Sequence, residues 1–128
     1  MKIGIGRTVD LSYEHALARV EEALEREGFG VLTRIDVRAT MKEKLGAELA
    51  PYVILGACNP PLAHRALTAE PEIGLMLPCN VVVRQIAPGR TRVEAINAAA
   101  MAALFPKADL SAVAGDVGER LARVIASV

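Results

Sequence analysis

The sequence predicts an α+β fold, an antiparallel sheet with helices packed on one face. Three observations predict it. Short apolar or alternating stretches such as "VLTRIDV", "YVILGA" and "CNVVVRQI" have the length and period of strands. A Pro-Gly pair in "APGR" joins two of them as a hairpin. Amphipathic helical patterns lie outside that hairpin, towards both ends of the chain, and segregation of helices from paired strands is the mark of α+β architecture.

In chain order, "KIGIGRTV" sets Ile3, Ile5 and Arg7 against small residues and reads as a first strand. Ser12 then caps a helix whose apolar positions Ala16, Leu17, Val20, Ala23 and Leu24 recur at helical spacing, with Gly28 as a left-handed terminus. "VLTRIDV" alternates, Val31, Thr33, Ile35 and Val37 against Leu32, Arg34 and Asp36, as in a strand buried on one side. "MKEKLGAEL" fits a short helical connection broken at Gly46, and the continuous apolar run "YVILGA" suits a central strand. "NPPLAHRALTAEP" is a short helix between proline punctuations. Pro78 interrupts the next run, so "EIGLML" and "CNVVVRQI" are expected as two arms of one bent or bulged strand. "TRVEAI" pairs back across the type II turn. Leu110, Val113, Val117, Leu121 and Val124 then define a closing amphipathic helix, in which Gly115 and Gly118 permit close packing against the sheet or a partner.

At 128 residues the chain is the size of one ordinary domain, and no repeat or linker divides residues 1–128. Hydrophobic residues make up 52% and aromatics only 3%, which excludes disorder and makes the core a matter of Ala, Val and Leu. Fifteen basic residues balance fifteen acidic ones and are interleaved with them, so nothing concentrates nucleic acid or anionic lipid at the surface. No apolar h-region opens the chain and no stretch is long enough to span a bilayer, so a soluble cytoplasmic protein with reduced cysteines is expected. The apolar surplus and the glycine-bearing last helix predict self-association, as a homodimer.

The two cysteines carry the functional question, because each stands beside an asparagine and near proline: Cys58-Asn59-Pro60-Pro61 and Pro78-Cys79-Asn80. Local folding accounts for much of this. Asn59 is a preferred N-cap and Pro60 and Pro61 fill the first helical positions, while Pro78 bends a strand. The prolines also remove N–H donors, so anion binding at this helix start is expected to be weak. Three chemistries fit the remainder. A small molecule could be held in an apolar pocket with Asn59 and Asn80 as polar anchors, Cys58 and Cys79 being further candidates and His64 another that faces either the cysteine or solvent. A soft metal such as zinc or copper(I) could use Cys58, Cys79 and His64, although the spacing is no zinc-finger pattern. A thiol enzyme could use Cys58 as nucleophile at the helix start, with His64 as base. Against these stands the reading in which both cysteines are small buried hydrophobes and the domain serves only structure or dimerisation. No particular cofactor is implied. His15 is expected at the surface.

The ordered set "EREGFGVLTRID", "LGACNPPLAHRAL", "EPEIGLMLPCNVVV" and "TRVEAI" resembles the bacterial and archaeal family called domain of unknown function 302, over nearly the whole chain. The resemblance implies a curved antiparallel sheet embracing a long helix, similar to the TATA-binding-protein-like, or helix-grip, arrangement. On the family pattern Cys58, Asn59, Pro60, Ala63, Ala66, Leu67, Pro71, Gly74, Pro78, Cys79 and Asn80 are signature positions. The chain departs from it after the last strand, where "NAAAMAALF" replaces a frequent Asp-Pro pair. The resemblance brings no activity with it.

Overall fold

The computed structural model describes residues 2–128, the side chain of Ala108 excepted. Five strands, β1 (Gly4–Val9), β2 (Gly30–Asp36), β3 (Tyr52–Cys58), β4 (Cys79–Ala87) and β5 (Arg90–Ile96), form one sheet in the order β1-β5-β4-β3-β2. Every neighbouring pair is antiparallel. Alternation decides which face is covered. Val53, Leu55 and Ala57 of β3, Cys79, Val81 and Val83 of β4, and Val93 and Ala95 of β5 are buried on one side. The residues between them turn the other way, where Arg84 and Arg92 both pair with Glu94.

Two helices supply most of the cover. Helix α1 (Tyr13–Arg26) packs on β4 and β5, burying Ala16, Val20, Ala23 and Leu24. Ser12 caps its start by accepting the N–H of His15 at 3.2 Å. Its end is a Schellman motif: Phe29 N–H reaches the Leu24 carbonyl at 2.9 Å and Gly28 N–H reaches Glu25 at 3.0 Å, with Gly28 at φ +83°. Helix α5 (Ala108–Ala126) packs on α1 and buries the predicted stripe Leu110, Val113, Val117, Leu121 and Val124. Arg120 fastens the two helices by donating to the Glu27 carbonyl at 2.9 Å. Arg123 bonds the Glu27 carboxylate at 3.0 Å, which holds that carboxyl below its ordinary range.

Between these lie α2 (Val37–Leu45), α3 (Pro60–Ala69) and the short α4 (Ala98–Ala102). Each starts at a side-chain cap, of which Asn59 is the one the sequence predicts: Asp36 accepts from Ala39, Asn59 from Leu62, and Asn97 from Ala99. The hairpin joining β4 to β5 turns at Pro88-Gly89, with Gly89 at φ +74° as a type II turn requires.

Three expectations change. "EIGLML" is not the first arm of a strand: Pro71–Met76 forms a 3₁₀ helix and β4 begins at Cys79. Proline suits the first position of a helical turn and donates nothing to a ladder, and only Ile73 of this turn is buried, whereas Leu75 is 86% exposed. Strand β2 is not buried on one side. It is an edge strand, its register slips between Val31 and Thr33, and that bulge at Leu32 breaks the alternation on which the expectation rested. Gly115 and Gly118 are not contact points with the sheet, because a Cβ at either would meet nothing within 4 Å.

Candidate functional site

At the end of the sheet where β3 runs into α3 and β4 begins, the layers do not close. They leave a cavity of about 330 Å³. Its floor includes Ala57 and Cys79, which face each other across the β3–β4 ladder. Helix α3 contributes Leu62 and Ala66, and α5 contributes Leu110, Val113 and Val117. Phe29, just past the Schellman turn, and Met101 of α4 close the remaining sides. Lys107 joins the two walling helices at their outer ends. Its ammonium donates to the Ala69 carbonyl at 3.2 Å and pairs with Glu70 at 3.3 Å.

Local chemistry explains how the Cys-Asn segments come to this end. Gly56 and Pro78 are in close apposition: a Cβ on Gly56 would stand 2.6 Å from Cγ of Pro78 and would collide with the Thr33 hydroxyl. The missing side chain on β3 is therefore what lets the chain before β4 lie against the sheet and deliver Cys79 to the floor. Asn59 is likewise held from two sides. Its Oδ1 accepts the Leu62 N–H at 3.3 Å, and its Nδ2 lies 2.9 Å from where a Cβ on Gly28 would be. The end of α1 and the start of α3 thus interlock at one glycine.

The structure brings Cys58, Asn59 and Cys79 together on the cavity lining, and both cysteines are free thiols. Cys58 is half-buried and Cys79 is 7% exposed. Burial, with a smaller contribution from the charge of Cys58, pushes the Cys79 thiol up to about 11, so at neutral pH Cys79 carries no charge.

Two predicted companions lie elsewhere. Asn80 pairs with Gly56 in the ladder but is exposed outside the cavity lining, one alternation step away from Cys79. His64 is exposed on the outer side of α3, in a shallow groove with Arg65, Thr68 and Asp109. Helical spacing explains this: Leu62 and Ala66 point inward, and His64 lies midway between them on the opposite face. The three-ligand set Cys58, Cys79 and His64 is therefore not assembled. Among the described residues no group of three or more His, Cys, Asp or Glu side chains could hold a metal ion. His15 is exposed, as expected.

The cavity also contains residues that sequence reasoning had assigned only to the core. Leu110, Val113 and Val117 belong to the stripe of α5, and a stripe gives no sign of whether its partner is a side chain or a space. Phe29 and Met101 had no signal beyond being apolar.

Residues 5–128 match the sequence profile of the family described as domain of unknown function DUF302. No curated protein matches the chain significantly. Among solved structures it is similar to an uncharacterized conserved DUF302 protein from Bacillus stearothermophilus. The two share 31% identity over 99% of this chain and 98% of that one, with a TM-score of 0.90. With the family profile spanning nearly its whole length and a solved relative that superposes throughout, the chain belongs to the DUF302 family.

Proposed function

We propose that the domain is a binding module for a small molecule, held in the cavity at the Cys58, Asn59 and Cys79 end of the sheet. The observation that carries this reading is the cavity itself, about 330 Å³ and lined almost wholly by apolar side chains where the sheet, α3 and α5 meet. Native interiors hold few voids larger than a water, so a space of this size between the sheet and helices α3, α4 and α5 is the default place for a ligand. The curved sheet around a long helix implied by the family resemblance would suit such a space, with α5 as the gripped helix.

Soft-metal binding is the weaker form of this reading, since His64 stands apart from the two thiols. Thiol catalysis is weaker for a related reason: the base named for Cys58 is the same His64, and Cys79 is held protonated. Self-association has its own support in the apolar side chains left outside the core, with Leu32 67% and Ile35 47% exposed on the edge strand. Light scattering across protein concentration tests it, and a monomer throughout would end it.

The binding reading is tested with N-phenyl-1-naphthylamine, a neutral probe that brightens in apolar surroundings. The expected result is saturable binding at one site per chain, abolished by Ala66→Phe and by alkylation of Cys58, with the circular dichroism spectrum unchanged. Absence of saturable binding by the unaltered protein would refute the reading.

A further inference from the structure

The start of α3 borders the cavity, and helix starts ordinarily offer an anion unsatisfied N–H groups. This one offers none in its first four residues. Pro60 and Pro61 have no N–H. The Leu62 N–H is taken by the Asn59 side chain at 3.3 Å and the Ala63 N–H by the Asn59 carbonyl at 2.9 Å. The rest of the lining agrees, because no Lys, Arg, His, Asp or Glu side chain lies on it. Of its residues only Asn59, Cys58 and Cys79 have polar side-chain atoms, and the amide oxygen of Asn59 is already engaged in capping.

We infer that, given the binding reading above on which this rests, the cavity selects an uncharged, hydrocarbon-bodied molecule bearing one neutral oxygen, an alcohol, ketone or aldehyde, that points towards Asn59 and Cys58. A charged ligand would leave water for a site with nothing of opposite sign and no free helix donors to replace its hydration. A neutral oxygen needs only one partner, which the Asn59 amide nitrogen or the Cys58 thiol can supply. Size narrows the class further. A dry apolar cavity of about 150 Å³ holds benzene, so one about twice as large buries roughly a dozen heavy atoms, and a larger molecule extends through its open mouth. The neutral state of Cys79 fits the same picture, since it keeps the floor free of negative charge.

The test is competition against N-phenyl-1-naphthylamine at neutral pH by three molecules of one chain length: decan-1-ol, decanoate and decylammonium. Decan-1-ol is expected to displace the probe, and both ions to be weaker by roughly tenfold or more. The variant Ala63→Lys, at a half-buried lining position from which a long side chain can reach the mouth, is expected to move the preference towards decanoate. Either ion competing as well as the alcohol would overturn the inference and leave the binding reading standing. So would failure of all three to displace a bound probe, or an unchanged order in Ala63→Lys. If the probe itself does not bind, the reading beneath falls and this one with it.

Discussion

Replacing Ala66 by leucine distinguishes a real space from a packed core by the sign of its effect on stability. Ala66 is buried and lines the cavity, so the three added carbons of leucine enter the cavity rather than the packed core. At about 0.8 kcal/mol for each buried methylene the gain is up to about 2.4 kcal/mol. Fixing the leucine side chain takes back about 0.5 to 1 kcal/mol, leaving a net stabilisation of roughly 1.5 kcal/mol. Ala16 of α1 supplies the contrast, because it is 0% exposed and belongs to the closed part of the core. The same substitution there overpacks and costs about 1 to 3 kcal/mol. Urea titrations of the three proteins, read as ΔG with a common slope, measure both values, and Ala66→Leu should also melt several degrees higher. Ala66→Leu destabilised to the same extent as Ala16→Leu would show that no usable space exists beside α3, and the cavity argument would fail.

Other expectations follow from particular contacts. Because the Cys79 thiol is raised from 9.0 to about 11, the folded protein holds its proton where the unfolded chain has released it. Stability from this group is full below about pH 9 and lost as pH rises through about 11, by roughly 3 kcal/mol at most. Denaturant titrations should show that loss in the wild type and not in Cys79→Ala, and equal slopes against pH would refute it. Gly28→Ala forces φ +83° on a residue with a Cβ and presses it against the Asn59 amide, at a cost of about 1 to 3 kcal/mol by thermal melting. A neutral result would mean that α1 and α3 are not interlocked there. His64→Ala should leave probe affinity unchanged within error, and a marked loss would bring His64 back into the site.

How far the sequence could be read is clear from single residues. Ser12, Asn59 and Gly28 act locally, through hydrogen bonds or backbone angles within a few positions, and each was placed correctly from its neighbours in the chain. The stripe of α5 was legible for the same reason, since helical period needs no knowledge of the partner. What escaped depended on distant contacts. The bulge at Leu32 belongs to the pairing with β3, and the 3₁₀ turn before Pro78 buries only Ile73. At the site, the adjacency of Cys58 and Cys79 could be entertained only on the assumption that β3 neighbours β4, which it does. The side on which His64 lies is open from sequence, because its distance from Asn59 along the helix says nothing about face until Leu62 and Ala66 are known to point inward.

Strand β2 and helix α2 contribute no buried side chain, and β2 is bonded to the rest of the sheet along one edge only. The ion pair from Arg34 to Glu21 at 3.0 Å is solvated and adds little. Apart from Val31, which packs against the core, opening this unit exposes little apolar area, and its free energy lies below that of global unfolding. Amide protons of β2 should exchange through this local opening, orders of magnitude faster than those of β4. Phe29 and Leu32 flank the cavity where β2 begins, so the hinge of that motion is also an edge of the site. The least stable part of the sheet therefore borders the cavity, while the core around α1 and α5 does not depend on it.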